Sequence, residues 1–186
     1  MSFGRHYSLF LLGSYVLEVV ERLTKEGVTD SFVWQEMLAV FQEIDDQGQW
    51  ASDLMAAEEQ NRFALMTLLF ALRILDRFGY RPELHTCVSC RQPVRSEPLY
   101  FSVLQGGLMC ASCFTSQIEG QSVTPACIKL LREGLSKPIA LASRLLVSTR
   151  DAQLAMTLVD QMLSVQLQEP LRTSRMMSAV QEHANM

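Results

Sequence analysis

The sequence predicts a mostly α-helical bundle domain with one small four-cysteine ribbon, a β-hairpin, inserted among its helices. Three observations carry that expectation. Apolar residues recur at three- and four-residue spacing over most of the chain. Four of the five cysteines crowd into residues 87–113. Between the two cysteine pairs lies an alternating stretch with a Gly-Gly turn, the signature of a short hairpin. At 186 residues, with 48% hydrophobic and 19% charged content, the chain can bury a core and is not a disordered segment.

The elements follow in order. Leu9, Leu12, Val16, Val19, Val20 and Leu23 share one face of a first helix, with Glu18, Glu21 and Arg22 opposite and Gly27 as its stop. A second helix opens at Asp30 or Ser31, carries Val33, Met37, Val40, Phe41 and Ile44, and ends at Asp45, Asp46 and Gly48. A third, over 52–78, is apolar nearly all round, which marks a central buried helix. Its Glu58-Glu59 pair is read as favouring the helix dipole at the start.

Gly79 and Pro82 close that helix. The hairpin then runs 99–103, turns at Gln105-Gly106-Gly107 and returns over 108–110. Thr124 before Pro125 predicts an N-cap with Pro at the first helical position, and Gly134 is expected to end that helix. A last helix spans 151–168, with Leu154, Leu158, Met162 and Val165 on its stripe. Pro170 follows, and then the tail Leu171-Arg172-Thr173-Ser174-Arg175.

The cysteines are spaced C-x2-C-x19-C-x2-C, at Cys87, Cys90, Cys110 and Cys113. Each C-x-x-C turn offers two sulfurs on one knuckle, and a hairpin can bring the knuckles together around a tetrahedral zinc. The expectation is one structural zinc per chain. A catalytic zinc needs an open position that four sulfurs do not leave. A thioredoxin-like pair would sit where a strand enters a helix, and neither pair does. A site that has lost its metal is the remaining alternative, and His85 is a possible substitute ligand. Cys127, with Leu130 and Leu131 close behind, reads as a small buried hydrophobe. Of the ten methionines only Met176-Met177 suggests an exposed contact.

No nucleophile elbow, phosphate-binding loop or dinucleotide fingerprint occurs, and two of the three histidines, His6 and His183, lie near the ends. The expectation is a protein that is not an enzyme. Net charge is −4, with −6 through Glu83 and +2 from Leu84 onward. That balance is poor for wrapping a polyanion. The most apolar stretch, 63–72, is short of the roughly 18 residues that a membrane helix requires. With no signal peptide legible, the chain is expected in the cytoplasm, where reduced cysteines favour metal over disulfide.

Longer stretches carry a resemblance. YVLEVVERLTKEG (15–27), ALRILDRFGYRPELHTCVSC (71–90), YFSVLQGGLMCASC (100–113) and LRTSR (171–175) together resemble the C-terminal part of RecO, the bacterial recombination mediator. Order and spacing match from about residue 7 to 176, nearly the whole chain.

The resemblance implies a helical domain over 1–186 with a zinc ribbon at 85–116, and Cys87, Cys90, Cys110 and Cys113 as the ligands. It implies DNA repair and homologous recombination, in gap and break repair and strand annealing, alongside RecR, single-strand binding protein and RecA. The family's basic C-terminal signature falls on Arg172 and Arg175, with Thr173 where a lysine-containing run is commoner; these two arginines are possible contacts to DNA or a partner. The family begins with an OB-fold barrel that tracks single strands, whereas this chain opens with a helix. Weak binding of single-stranded DNA, no membrane association, and protein contact with a RecR-like partner are therefore expected. The alternative, from another class, is a stand-alone zinc-ribbon interaction domain without a DNA role.

Overall fold

The computed structural model describes residues 7–24, 30–48, 57–95, 97–142 and 144–177. It holds helices α1 (Tyr7–Leu23), α2 (Ser31–Gly48) and α3 (Ala57–Arg77), strands β1 (Leu99–Ser102), β2 (Gly107–Cys110) and β3 (Gln121–Val123), and helices α4 (Pro125–Ser136), α5 (Ile139–Ala142) and α6 (Thr149–Leu167). Gly27 and the start expected for α3 at residue 52 lie outside the described residues, as do the side chains of Glu58, Glu59 and Phe63.

The nearly all-apolar helix is central, as its composition requires. Leu65, Met66, Leu68, Leu69, Phe70, Leu72, Ile74 and Leu75 are all buried, and α3 packs on α1, α2, α4, α5 and α6. Around it sit the predicted faces of α1 (Leu9, Leu12, Val16, Val19) and α2 (Val33, Met37, Val40, Ile44). Gly79 ends α3 with φ +87°. Tyr80 N–H donates to Leu75 C=O at 2.8 Å and Gly79 N–H to Asp76 C=O at 3.0 Å. This pair of bonds is a Schellman motif, in which only glycine adopts the left-handed C′ position without cost.

Three expectations are corrected. Gly134 does not stop α4, which continues to Ser136. It is buried against α3, where a Cβ would stand 2.2 Å from Leu69 Cδ2, so glycine here permits close helix approach. The helix end beyond it is held instead by Arg73, which donates to Gly134 C=O at 3.4 Å and Lys137 C=O at 3.1 Å while also binding Glu36. Second, the buried stripe of α6 is Ala152, Ala155, Leu158, Val159, Met162 and Leu163, and Val165 is exposed. Two small alanines let α6 lie close, a face that a search for large apolar residues passes over. Third, the structure adds β3 and α5 to the expected elements; both are too short for any periodicity to register.

The start of α4 is built as its residues predict, whereas α6 begins at Thr149, two residues before the start expected at 151. Thr124 Oγ1 accepts Cys127 N–H at 3.0 Å, with Pro125 at the first helical position. Ser148 Oγ accepts Asp151 N–H at 3.1 Å. Asp151 joins the two caps, accepting from Ser148 Oγ at 2.6 Å and from the Thr124 hydroxyl. Those bonds hold its carboxyl below the usual range. One carboxylate thus fixes the start of α6 to the start of α4, directly after the ribbon.

Candidate metal centre

The ribbon is a three-stranded antiparallel sheet in the order β2-β1-β3. Leu99 faces Cys110 and Phe101 faces Leu108 across one pairing, and Leu99 faces Val123 across the other. The sheet therefore reaches beyond 85–116, since Gln121–Val123 closes its far side. Leu99, Phe101, Leu108 and Val123 are buried and join the helical core. One end of the ribbon is thus anchored by ordinary apolar burial.

The free edge of β2 is covered by residues 83–88. Leu108 N–H donates to Glu83 C=O at 2.9 Å and Val88 N–H to Leu108 C=O at 2.8 Å. Gly107 is required for that approach, because a Cβ would come 2.4 Å from Glu83 O. This edge segment carries Cys87 directly alongside Cys110. The first knuckle turns by Arg91 N–H to Cys87 C=O at 2.8 Å, with Arg91 at φ 62°. The second turns by Cys113 N–H to Cys110 C=O at 3.0 Å, and Phe114 stacks on Tyr100 at 4.0 Å just behind it.

All four sulfurs come together: those of Cys87, Cys90, Cys110 and Cys113 lie within 4.8 Å of one another. A tetrahedron with sulfur at 2.3 Å from a zinc ion has edges of about 3.8 Å. The Cys90 and Cys110 sulfurs are 3.8 Å apart. The donor set is four soft sulfurs, the type that selects zinc or iron–sulfur chemistry over hard cations. The residues present fit a tetrahedral metal. His85 is exposed and is not part of the cluster; its backbone N–H donates to Glu83 Oε1 at 2.7 Å.

The electrostatics of the cluster point the same way. Burial pushes the Cys87 thiol up, but N–H groups of Cys90, Cys110 and Ser89 outweigh it and bring the pKa down to about 6. Cys90 is pushed up to about 11: the Gln92 N–H favours its thiolate, and desolvation with the neighbouring sulfurs of Cys87, Cys113 and Cys110 overrides that help. The Cys110 thiol is lowered as well, first by the Ser112 hydroxyl, so negative charge is favoured at Cys87 and Cys110 and opposed at Cys90. A bound cation removes that conflict. Cys127 lies apart in the core, its thiol raised to about 12 first by burial and then by Asp151, which is the behaviour of a packing residue.

The tail signature is held by a residue that the sequence does not single out. Residues 172–177 form a helical turn. Glu18 of α1 accepts Arg172 N–H at 2.8 Å, Thr173 N–H at 2.9 Å and the Thr173 hydroxyl at 2.6 Å. A carboxylate from a distant helix caps this turn, the service a local N-cap residue usually gives. Desolvation raises the Glu18 carboxyl, but the Thr173 and Arg172 bonds prevail and hold it below its usual range. Thr173 is buried because of this role, while Arg172 and Arg175 are exposed. Met176 is exposed, whereas Met177 packs against the core. Beside Glu18, Tyr15 donates to the half-buried carboxylate of Asp160 at 2.8 Å.

The family model described as "Recombination protein O C terminal" matches residues 5–175. The chain belongs to the RecO family. Among its curated relatives, the DNA repair protein RecO of Dehalococcoides mccartyi is 29% identical over 124 residues, 67% of this chain and 44% of the relative. That of Syntrophotalea carbinolica is 27% identical over 179 residues, 96% of this chain and 64% of the relative. That of Syntrophus aciditrophicus is 26% identical over 174 residues, 92% and 62% respectively. The chain thus spans about half to two thirds of the length of the relatives it matches. The four cysteines, the hairpin and the tail signature up to Arg175 all fall inside the matched range. Among the described residues, no helix is long and apolar enough to cross a membrane.

Proposed function

We propose that this chain serves DNA repair and homologous recombination as the helical, zinc-bearing part of a RecO-type mediator. The single observation that carries the reading is the family match over residues 5–175, which contains the whole ribbon. In this reading Cys87, Cys90, Cys110 and Cys113 hold one zinc ion per chain. Bound there, zinc supplies charge neutralisation and a cross-link between knuckles, and no chemistry on a substrate. The protein is not an enzyme and works in the cytoplasm.

Its work is protein contact, first with a RecR-like protein and second with single-strand binding protein, in the setting where RecA is loaded during gap and break repair. Single-stranded DNA is a weak ligand of this chain. The surface supports that ranking: Arg22, Arg62, Arg73, Arg77, Arg81 and Lys137 each pair with a carboxylate. Cations already engaged in this way contribute less to the counterion release that drives binding to nucleic acid. The same pairing favours the second reading, a zinc-ribbon interaction domain with no DNA role.

Three titrations against this chain decide between them: labelled single-stranded DNA near physiological salt, and purified RecR-like protein and single-strand binding protein from the same source. Saturable RecR binding with DNA affinity weaker than micromolar supports the mediator reading. Binding to neither RecR, single-strand binding protein nor DNA overturns it and leaves the interaction domain. Sub-micromolar DNA binding would show instead that the helical part holds a strand by itself.

A further inference from the structure

The four gathered sulfurs are not equivalent. Cys87 is fully buried and its sulfur accepts Cys110 N–H at 3.4 Å. Cys90, on the same knuckle, is exposed within an exposed run from Ser89 to Pro93. Its sulfur stands 3.8 Å from that of Cys110 on the other knuckle. Cys110 is partly open, and its sulfur lies 3.1 Å from the hydroxyl of exposed Ser112. The most accessible sulfur therefore faces a second reachable one across the gap between knuckles, while the buried sulfur is tied into the backbone.

We propose that the Cys90–Cys110 pair is a site of oxidative modification, at which a peroxide converts two cysteines into a disulfide joining the knuckles. The Cys90 sulfur, the most accessible of the four, gives up its proton and attacks one peroxide oxygen; a sulfur–oxygen bond forms, the oxygen–oxygen bond breaks and the hydroxide that leaves takes the proton as water, giving a sulfenic acid. The Cys110 thiolate then attacks the Cys90 sulfur; the sulfur–sulfur bond forms, the sulfur–oxygen bond breaks and a second hydroxide leaves. The two sulfurs supply the two electrons that reduce the peroxide. The sulfurs must close from 3.8 Å to about 2.05 Å, which the exposed first knuckle can supply by moving toward the second.

Location decides the consequence. A disulfide within one knuckle would leave the two knuckles unconnected. A bond between Cys90 and Cys110 keeps them together, so the ribbon stays closed by a covalent tie. In so far as the proposal also rests on the zinc reading, the same step removes two of four thiolate donors, and Cys87 and Cys113 alone cannot complete a tetrahedral site. Oxidation would then release the metal without opening the ribbon, whereas a chelator would do both.

The test uses the full chain, reduced, with its zinc content measured first. Hydrogen peroxide is added stepwise, free thiols are blocked by alkylation, and tandem mass spectrometry locates the modified cysteines. Zinc release is read with a chromogenic chelator, and ribbon closure by amide hydrogen exchange over residues 83–114. The expected result is loss of Cys90 several-fold faster than Cys87, then a Cys90–Cys110 link with two thiols consumed per disulfide, one zinc released, and exchange protection kept. A first disulfide within either knuckle, or equal loss of Cys87 and Cys90, overturns the proposal. A Cys90–Cys110 link formed in protein that held no metal upholds it and overturns the zinc reading. Full zinc at the start followed by a link within one knuckle does the reverse.

Discussion

The helical core and the cysteine end of the ribbon are held by different forces. Around α3 the stabilising element is apolar burial: from Leu65 to Leu75, all but Thr67 and Arg73 are buried hydrophobic residues, and tight packing leaves little room to adjust. At the ribbon's far end the residues from Ser89 to Pro93 are exposed, and so are Ala111 and Ser112. There is almost no apolar surface to bury there, so four sulfurs must supply the order. The middle of the ribbon belongs to the first regime, because Leu99, Phe101, Leu108 and Val123 point into the shared core. The contrast teaches that the two regions should fail separately.

The largest separation is expected on removing the metal or one of its ligands. Structural zinc sites carry roughly 10–16 kcal/mol of apparent binding free energy near neutral pH. Cys87→Ser should abolish stoichiometric zinc and raise amide exchange from 85 to 95 and from 108 to 114, while helical circular dichroism is nearly unchanged. Collapse of the helical signal together with the zinc would show that the two regions are one cooperative unit.

The core is attacked through Gly134→Ala. The added methyl would stand 2.2 Å from Leu69 Cδ2, and overpacking of this kind typically costs about 1–3 kcal/mol. The melting temperature should fall, with zinc content unchanged at room temperature. An unchanged melting temperature would mean that the Leu69 side chain turns aside, or that α3 and α4 move apart, at no cost.

A smaller effect belongs to the tail turn. Glu18→Ala removes the carboxylate that caps residues 172–177, and loss of a cap costs about 0.5–2 kcal/mol. Limited proteolysis should then cut beyond Leu171 faster, with core and ribbon intact. The pH dependence has a definite sign. The Glu18 pKa is lowered in the fold, so its contribution is present above the unfolded carboxylate value and is lost as pH falls through the folded value. Tail protection measured from pH 6 downward should weaken in the native chain and be flat in Glu18→Ala.

The smallest effect is expected from Arg172→Ala combined with Arg175→Ala. Both side chains are exposed, so stability should stay within about 0.5 kcal/mol. If they touch phosphates, DNA affinity falls and the salt slope drops by about one unit for each phosphate no longer held. An unchanged slope assigns them to protein contact or to nothing.

Much of the molecule is legible in the residues because the signals are local. The periods of α1, α2 and α3, the Thr124-Pro125 start, the Gly79 stop and the C-x-x-C knuckles each depend on a few neighbouring positions, and steric and capping rules act over that range. The Gly-Gly turn between two cysteine pairs is enough to predict that the knuckles meet. What the residues do not reveal depends on partners distant in the chain. Gly134 looks like a stop because glycine usually is one; only the approach of Leu69, 65 positions earlier, makes it a contact. Val165 fits a helical stripe, but the side of α6 that faces inward is set by where α3 and α4 lie. Glu18 is one more polar residue on an amphipathic helix until residues 172–177 return to it. The inequality of the four cysteines is of the same kind: their spacing is symmetrical, and burial of Cys87 with exposure of Cys90 follows only from 83–88 lying along β2 while the first knuckle turns outward.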